Sequence, residues 1–187
     1  MSCDFQKIIR VTQALNDFWL NSRGWAPESA YSLLQEARLD RQLSFAKTLP
    51  EYKENFSEEV KDAKIILGYA TLRSMSESAI KLFFSAFIED YLNDSEALIN
   101  KKNNQVVPPK KISFDNLISL YVKKGEPSFE SYLRRVQSRG NAIHHFNDRG
   151  IGCQSELIED IKIFKGLLLA VNSQLPYPDD VQNPEEA

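Results

Sequence analysis

Apolar residues recur along most of this chain at the three- and four-residue spacing of an amphipathic helix. The cleanest run is near the C-terminus. Leu157, Ile161, Phe164, Leu168 and Val171 alternate steps of four and three, and predict a helix from about Ser155 to Gln174. Its seam either closes a bundle or supports a contact between two copies. At the other end, Phe5, Ile8, Ile9, Thr12, Leu15 and Trp19 predict a helix over 4–20, stopped by the turn residues Asn21-Ser22-Arg23-Gly24. Pro27 suits the first turn of a second helix, expected to run to about Thr48 with Ala30, Leu33, Leu34, Ala37 and Phe45 on its apolar side. Ser57 reads as an N-cap, with Glu58 and Glu59 at the positive end of the helix that follows. Helical signal then continues to about Asn100. An unbroken helix of that length would span roughly 65 Å. A break is therefore expected near Asn93-Asp94-Ser95, or more softly at Gly68. The stretch from Leu72 through Leu92, with Met75, Ala79, Leu82, Phe83, Ala86, Phe87 and Tyr91, is the expected centre of the core.

The double proline in residues 101–111 forbids a continuing helix and predicts a loop. Ser113 is placed to cap a short helix through Tyr121 or Val122. Gly125-Glu126-Pro127 ends it and opens another near Pro127 or Ser128. In that next helix Leu133, Val136, Gly140 and Ile143 form one seam toward the core. On it, Gly140 marks a close approach of a neighbouring backbone, or a kink. Gly150 and Gly152 end the segment, with Asp148 and Arg149 expected as an ion pair at its last turn. The predicted fold class is all-α: an antiparallel bundle of four to five helices with an N-terminal helical pair. One domain is expected over 1–178, with the helical pair in 1–50 and the bundle core in 57–174. An acidic, unstructured tail follows over 179–187.

Composition adds bounds. With 187 residues and 42% hydrophobic content, the chain can bury a substantial core. A net charge of −3 argues against a general attraction to nucleic acid, so any nucleic-acid chemistry needs a local basic patch or a partner. Cys3 and Cys153 stand in no metal-binding or redox spacing and read as free thiols. No apolar run reaches a membrane span and no signal-peptide pattern opens the chain, so a cytoplasmic location is the default expectation. Phosphate-binding glycine loops, zinc-ligand arrangements, nucleophile elbows and internal repeats are not found, and no cofactor or metal is called for.

The candidate chemistry lies in Ser138-Arg139-Gly140-Asn141-Ala142-Ile143-His144-His145-Phe146, which holds both histidines of the chain. Histidine titrates near neutral pH and can take or give a proton. Arginine can hold two oxygens of a phosphate with its planar fork. Asparagine offers a donor and an acceptor. A cation, an amide and an imidazole suit phosphodiester chemistry. RNA brings its own nucleophile, the 2′-hydroxyl. The plainer alternative is a hydrogen-bonded helix face.

This stretch resembles the R-x4-6-H signature of the HEPN superfamily, small helical domains that include many metal-independent ribonucleases. Family motifs often read Arg-Asn-x-Ile-Ala-His. Asn141-Ala142-Ile143-His144-His145-Phe146 is in phase with that and makes His145 the counterpart of the family histidine. Arg139 then gives R-x5-H, and counting to His144 gives R-x4-H. Gly140 departs from the pattern, which usually has a polar residue after the arginine. The resemblance implies an endoribonuclease, in which Arg139 binds the scissile phosphate, His145 or His144 handles the proton and Asn141 orients one of them. It implies products with a 2′,3′-cyclic phosphate and a 5′-hydroxyl. It further implies a homodimer whose motifs meet in a shared cleft, and a toxin or phage-defence role under a regulatory partner or antitoxin. HEPN-like domains also serve as non-catalytic adaptors or binding modules, and that reading stays open.

Glu77 and Lys81 have the spacing and order of an intrahelical ion pair. Glu-x3-Lys also resembles a pattern in some HEPN families, where polar groups on the facing helix orient the arginine and histidine. Arg73 is a further candidate for that role. Arg134 and Arg135 are expected to add positive charge beside Arg139. Lys101, Lys102, Lys110 and Lys111 form the most basic local segment, either a contact for RNA phosphates or a solvated loop. Arg38, Asp40 and Arg41 read as a solvated face or local ion pairs.

Overall fold

The structure is a computed structural model and describes residues 2–144 and 150–178. Among these residues it is all-α, with one minimal strand pair. Helix α1 (Ser2–Leu20) is followed by α2 (Glu28–Glu36), α3 (Leu39–Thr48), α4 (Lys61–Ala86) and α5 (Ile88–Asn93). Strands β1 (Ile99–Asn100) and β2 (Gln105–Val106) pair antiparallel, Ile99 opposite Val106. Then come α6 (Phe114–Lys124), α7 (Glu130–Gly140) and α8 (Gln154–Gln174).

Helix α4 is the axis of the molecule. It is apolar on most sides, burying Ile65, Leu72, Met75, Ile80 and Phe83. Such a helix must be covered by several partners, and α7, α8, α2, α3 and α6 all pack on it. α7 runs antiparallel to it: Tyr132 meets Ser76 through their hydroxyls at 3.1 Å, while Gly140 lies against Tyr69 and Arg73. α8 follows the direction of α4, Asp160 meeting Tyr69 and Gln174 lying with Phe83, Phe84 and Phe87. The four-three seam of α8 is buried throughout, so within the chain it closes the bundle and is not a free face for a second copy.

Several predicted boundaries move. The second helix is broken at Ala37–Arg38, where Ala37 is extended (φ −71°, ψ 133°) and Arg38 leaves the helical region (ψ 61°). The break lets Leu34 on α2 and Leu39 on α3 both reach the core. Arg38 forks onto Asp40 at 2.6 and 2.8 Å, the local pair expected, and holds that carboxyl down at about 2. Ser57 does not cap α4. Its carbonyl accepts from the Val60 N–H in a turn, and the helix begins at Lys61.

Gly68 does not interrupt α4. It admits Leu157, whose Cδ2 would lie 2.5 Å from an added Cβ. The break falls instead at Phe87 (φ −99°, ψ 35°), and Asn93 merely ends the short α5. No glycine or proline marks this corner. Tertiary bonds hold it: the Tyr91 hydroxyl donates to Val107 O (2.9 Å) and accepts from Leu98 N–H (3.2 Å), tying α5 to the hairpin stem. The predicted loop 101–111 thus starts as the turn of the β1–β2 hairpin and ends in a 3₁₀ turn, Pro109–Lys111. Ser113 does cap α6, accepting from Asn116 N–H at 3.4 Å. α6 extends to Lys124.

Candidate functional site

At the end of α7 the backbone tightens. Asn141–His144 form a 3₁₀ turn directly after Gly140. The close-approach reading of Gly140 holds. An added Cβ there would lie 2.7 Å from Arg73 Cβ and 2.9 Å from the Tyr69 carbonyl oxygen, so α4 and α7 are in backbone contact. The change of helix type follows it immediately. As a result Ile143 leaves the predicted core seam and is 45% exposed.

Arg139 is not a free cation. Its Nη1 donates to the Tyr69 hydroxyl at 2.5 Å, and its Nη2 donates to Glu156 Oε1 at 2.7 Å. Nη1 also lies 3.7 Å from Asp160 Oδ2, and the guanidinium sits over the Tyr69 ring at 5.0 Å. Only 16% of the side chain is exposed. Gly152, at φ +78°, closes the other side: its missing Cβ would be 2.7 Å from the Arg139 Cζ. Burial works against the charge on Arg139. The bonds to Glu156 and Tyr69 outweigh it, and its pKa rises above the ordinary value.

Asp160 is the hub behind this arginine. It is 2% exposed, and takes the Arg135 fork at 2.6–3.2 Å and the Tyr69 hydroxyl at 3.0 Å. Burial, then the negative field of Asp160, push the Tyr69 phenol well up, so it stays a neutral donor to Asp160 and acceptor for Arg139. Arg135 is therefore spent inside the network. Arg134 is engaged too, by Asp115 at 2.7 Å and Glu130 at 3.7 Å. The basic patch expected from the three arginines is offset, each facing at least one carboxylate.

Sequence reasoning missed Tyr69, Glu156, Asp160 and Gly152. A signal existed for two. Asp160 interrupts the buried face of the cleanest helical repeat in the chain, between Leu157 and Ile161. Glu156 is the third residue of α8 after its cap, Cys153, and its Oε2 accepts the Cys153 N–H at 3.0 Å while Oε1 holds Arg139. Cys153 itself is a free, exposed thiol.

Asn141 is half-buried and His144 exposed. In a 3₁₀ turn residues three apart eclipse, so these two share a face. Arg139 is two α-helical steps back from Asn141, about 200° round the axis. Arginine and histidine therefore leave the same segment in divergent directions. His145, Asp148 and Arg149 lie outside the described residues, as does the acidic tail.

The remaining candidates gather elsewhere. On α4, Tyr69, Arg73, Glu77 and Lys81 repeat every four residues and form one polar stripe. Glu77 accepts from Lys81 at 2.8 Å, the pair predicted, and has Arg73 at 3.7 Å. Of Arg73, Glu77 and Lys81, Arg73 is the one that touches the motif helix, through its contact with Gly140. Lys110 pairs with Glu36 across the fold and gives its carbonyl oxygen to Lys81 Nζ at 3.4 Å. Lys101, Lys102 and Lys111 are exposed, the first two at the hairpin tip.

Set against protein-family models, curated proteins and solved structures, the chain finds no match in any of the three. Its chemistry has to be judged from its own residues.

Glu156 offers a direct test of the network. Its hydrogen bonds to Arg139 and then Cys153 hold its pKa below the ordinary 4.5. A depressed folded pKa adds stability above the unfolded value and loses it as pH falls through the folded one. Wild type is therefore expected to melt above Glu156→Gln near neutral pH, with the gap closing progressively below about pH 4.5. Melting temperatures of both proteins from pH 3 to 7 provide the check. A gap independent of pH would show that Glu156 acts through shape and not charge.

Proposed function

We propose that this chain is a metal-independent endoribonuclease of HEPN type, acting as a homodimer in a toxin or phage-defence setting under a regulatory partner. The reading rests first on the Arg139-Asn141-His144-His145 motif. The observation that supports it is positional. Residues Arg139 to His144 occupy a helix-to-3₁₀ turn at the end of the bundle, the arginine fixed to the scaffold and His144 open to solvent. Arg139 is oriented from behind by Tyr69 and Asp160. The group on its outer nitrogen, Glu156, is half-exposed.

In the reaction a 2′-hydroxyl attacks the adjacent phosphorus, and the 5′-oxygen leaves. One proton is taken from the nucleophile and one given to the leaving oxygen. Arg139 stabilises the charge that develops on the phosphoryl oxygens. His145 or His144 moves the proton. Asn141, on the face of His144, orients the histidine or the phosphate. Since Arg139 and His144 diverge within one chain, the productive pairing is between the arginine of one copy and a histidine of the other.

One observation favours a different class, a non-catalytic binding module: among the described residues, every arginine near the motif already faces a carboxylate. Cleavage of tRNA and total RNA in EDTA separates the two. Nuclease chemistry predicts cyclic-phosphate ends, and a loss on the order of 100-fold in Arg139→Ala. The same loss is expected for His144→Ala or His145→Ala, with Arg139→Lys included because it keeps the charge in the network. Cleavage that survives Arg139→Ala, or a sedimentation profile that is monomeric at active concentrations, would overturn the shared-cleft nuclease.

A further inference from the structure

Aromatic rings line a cavity of about 380 Å³ at the end of the bundle where α4, α6 and α8 all finish. That volume is within the usual range of small-molecule sites. Phe83, Phe84 and Phe87 come from the last turn of α4 and its corner, and Tyr91 from α5. Leu120 and Lys124 belong to the end of α6, and Gln174 is the last residue of α8. The ring of Phe83 stands 5.2 Å from those of Phe84 and Phe87, and Phe84 stands 5.7 Å from Tyr91. The rim is acidic: Asp90, Asp94 and Glu96 line it against one cation, Lys124. Asp94 holds Lys124 at 2.6 Å and Glu96 pairs with Lys123. Asp90 is exposed and has no ion-pair partner among the described residues.

Two features of charge, one of the backbone and one of the side chains, favour a cation here. A helix carries partial negative charge at its C-terminus, which a basic residue in the last turn commonly offsets. Helices α4 and α8, of 26 and 21 residues, both finish at this cavity with no basic residue in their last turns. The rim then adds carboxylates at the same end. Asp90 on α5 and Asp94 just past its end are four residues apart, about 6 Å along a helix axis. That is comparable with the separation of neighbouring ammonium groups in an aliphatic polyamine. Aromatic faces complete the match, because they attract ammonium groups and cover methylene chains.

We infer that this cavity binds an aliphatic polyamine. The methylene chain lies on the phenylalanine rings, and the ammonium groups meet Asp90, Asp94 and Glu96. The site is remote from the Arg139 motif: Tyr69, which holds that arginine, is fourteen residues before Phe83 on α4, about 21 Å along the axis. It does not depend on ribonuclease activity.

Calorimetric titration of the full chain with spermidine, in about 0.15 M NaCl to screen long-range attraction, tests the assignment. One spermidine per chain is expected with Kd below about 1 mM. Butylamine, with one ammonium group, and magnesium ion, with no apolar part, should each bind at least about tenfold more weakly. Asp90→Asn and Glu96→Gln should each weaken spermidine by about threefold, and the double variant by about tenfold. Phe87→Leu, which removes a ring and keeps an apolar side chain, should cost about threefold. Circular dichroism checks folding, and if Phe87→Leu does not fold the two exposed carboxylate variants carry the test. Glu58→Gln and Glu159→Gln remove carboxylates outside the cavity and should bind spermidine like wild type. No spermidine binding at millimolar concentration, butylamine or magnesium binding as tightly, or equal losses in the variants outside the cavity would each overturn the proposal.

Discussion

Asp160→Ala is expected to lower the unfolding free energy by about 3–5 kcal/mol, the range for removing one partner of a buried ion pair. The side chain is 2% exposed and accepts from Arg135 and Tyr69, with Arg139 3.7 Å away. Its loss leaves two guanidinium groups facing each other across a site where their counter-charge stood. The Tyr69 hydroxyl loses its acceptor as well. Against a typical total stability of about 5–15 kcal/mol, that is a large fraction of what holds the fold. Urea denaturation followed by circular dichroism gives the value. Asp160→Asn is expected to lose less, because the amide oxygen still accepts from Tyr69. A loss under about 1 kcal/mol for the alanine variant would show that the hub contributes little.

Gly140→Val should be nearly as damaging. Elsewhere in a helix, replacing glycine with alanine gains about 1 kcal/mol through backbone entropy. Here the first added carbon would already lie 2.7 Å from Arg73 Cβ and 2.9 Å from a backbone oxygen of α4. Neither atom is the end of a flexible side chain. Helices α4 and α7 must separate, and overpacking of this kind costs about 1–3 kcal/mol for a small addition. Gly140→Ala is expected to destabilise despite the propensity gain, and the valine with its two further methyl groups to exceed it. Midpoints of urea unfolding for the two variants test the order. A stabilised alanine variant would contradict the close approach. The same contact leaves no room for a longer side chain after Arg139 against α4.

What local sequence could reveal was whatever depends on neighbours three and four residues away. The all-α class, the buried seam Leu157–Val171, the Ser113 cap, the Glu77–Lys81 pair and the tight spot at Gly140 all follow from helical spacing and single-residue stereochemistry. Each is decided within one or two turns of helix, where energies are short-ranged and the residue order is the geometry. The breaks at Ala37–Arg38 and Phe87 were not legible, because no glycine or proline causes them. They arise where Leu39 and Tyr91 find better partners off the helix line. The fate of the arginines was hidden for the same reason. Arg139 looks available in sequence, and only packing brings Tyr69 from 70 residues away and Asp160 from α8 around it. Likewise, Lys110 and Arg73 belong to different readings in sequence and to one cavity in the fold. Helical periodicity determined which faces turn inward. Which charges meet once those faces close was left to the tertiary structure, because a buried charge is stabilised by whatever the fold places beside it, however distant in the chain.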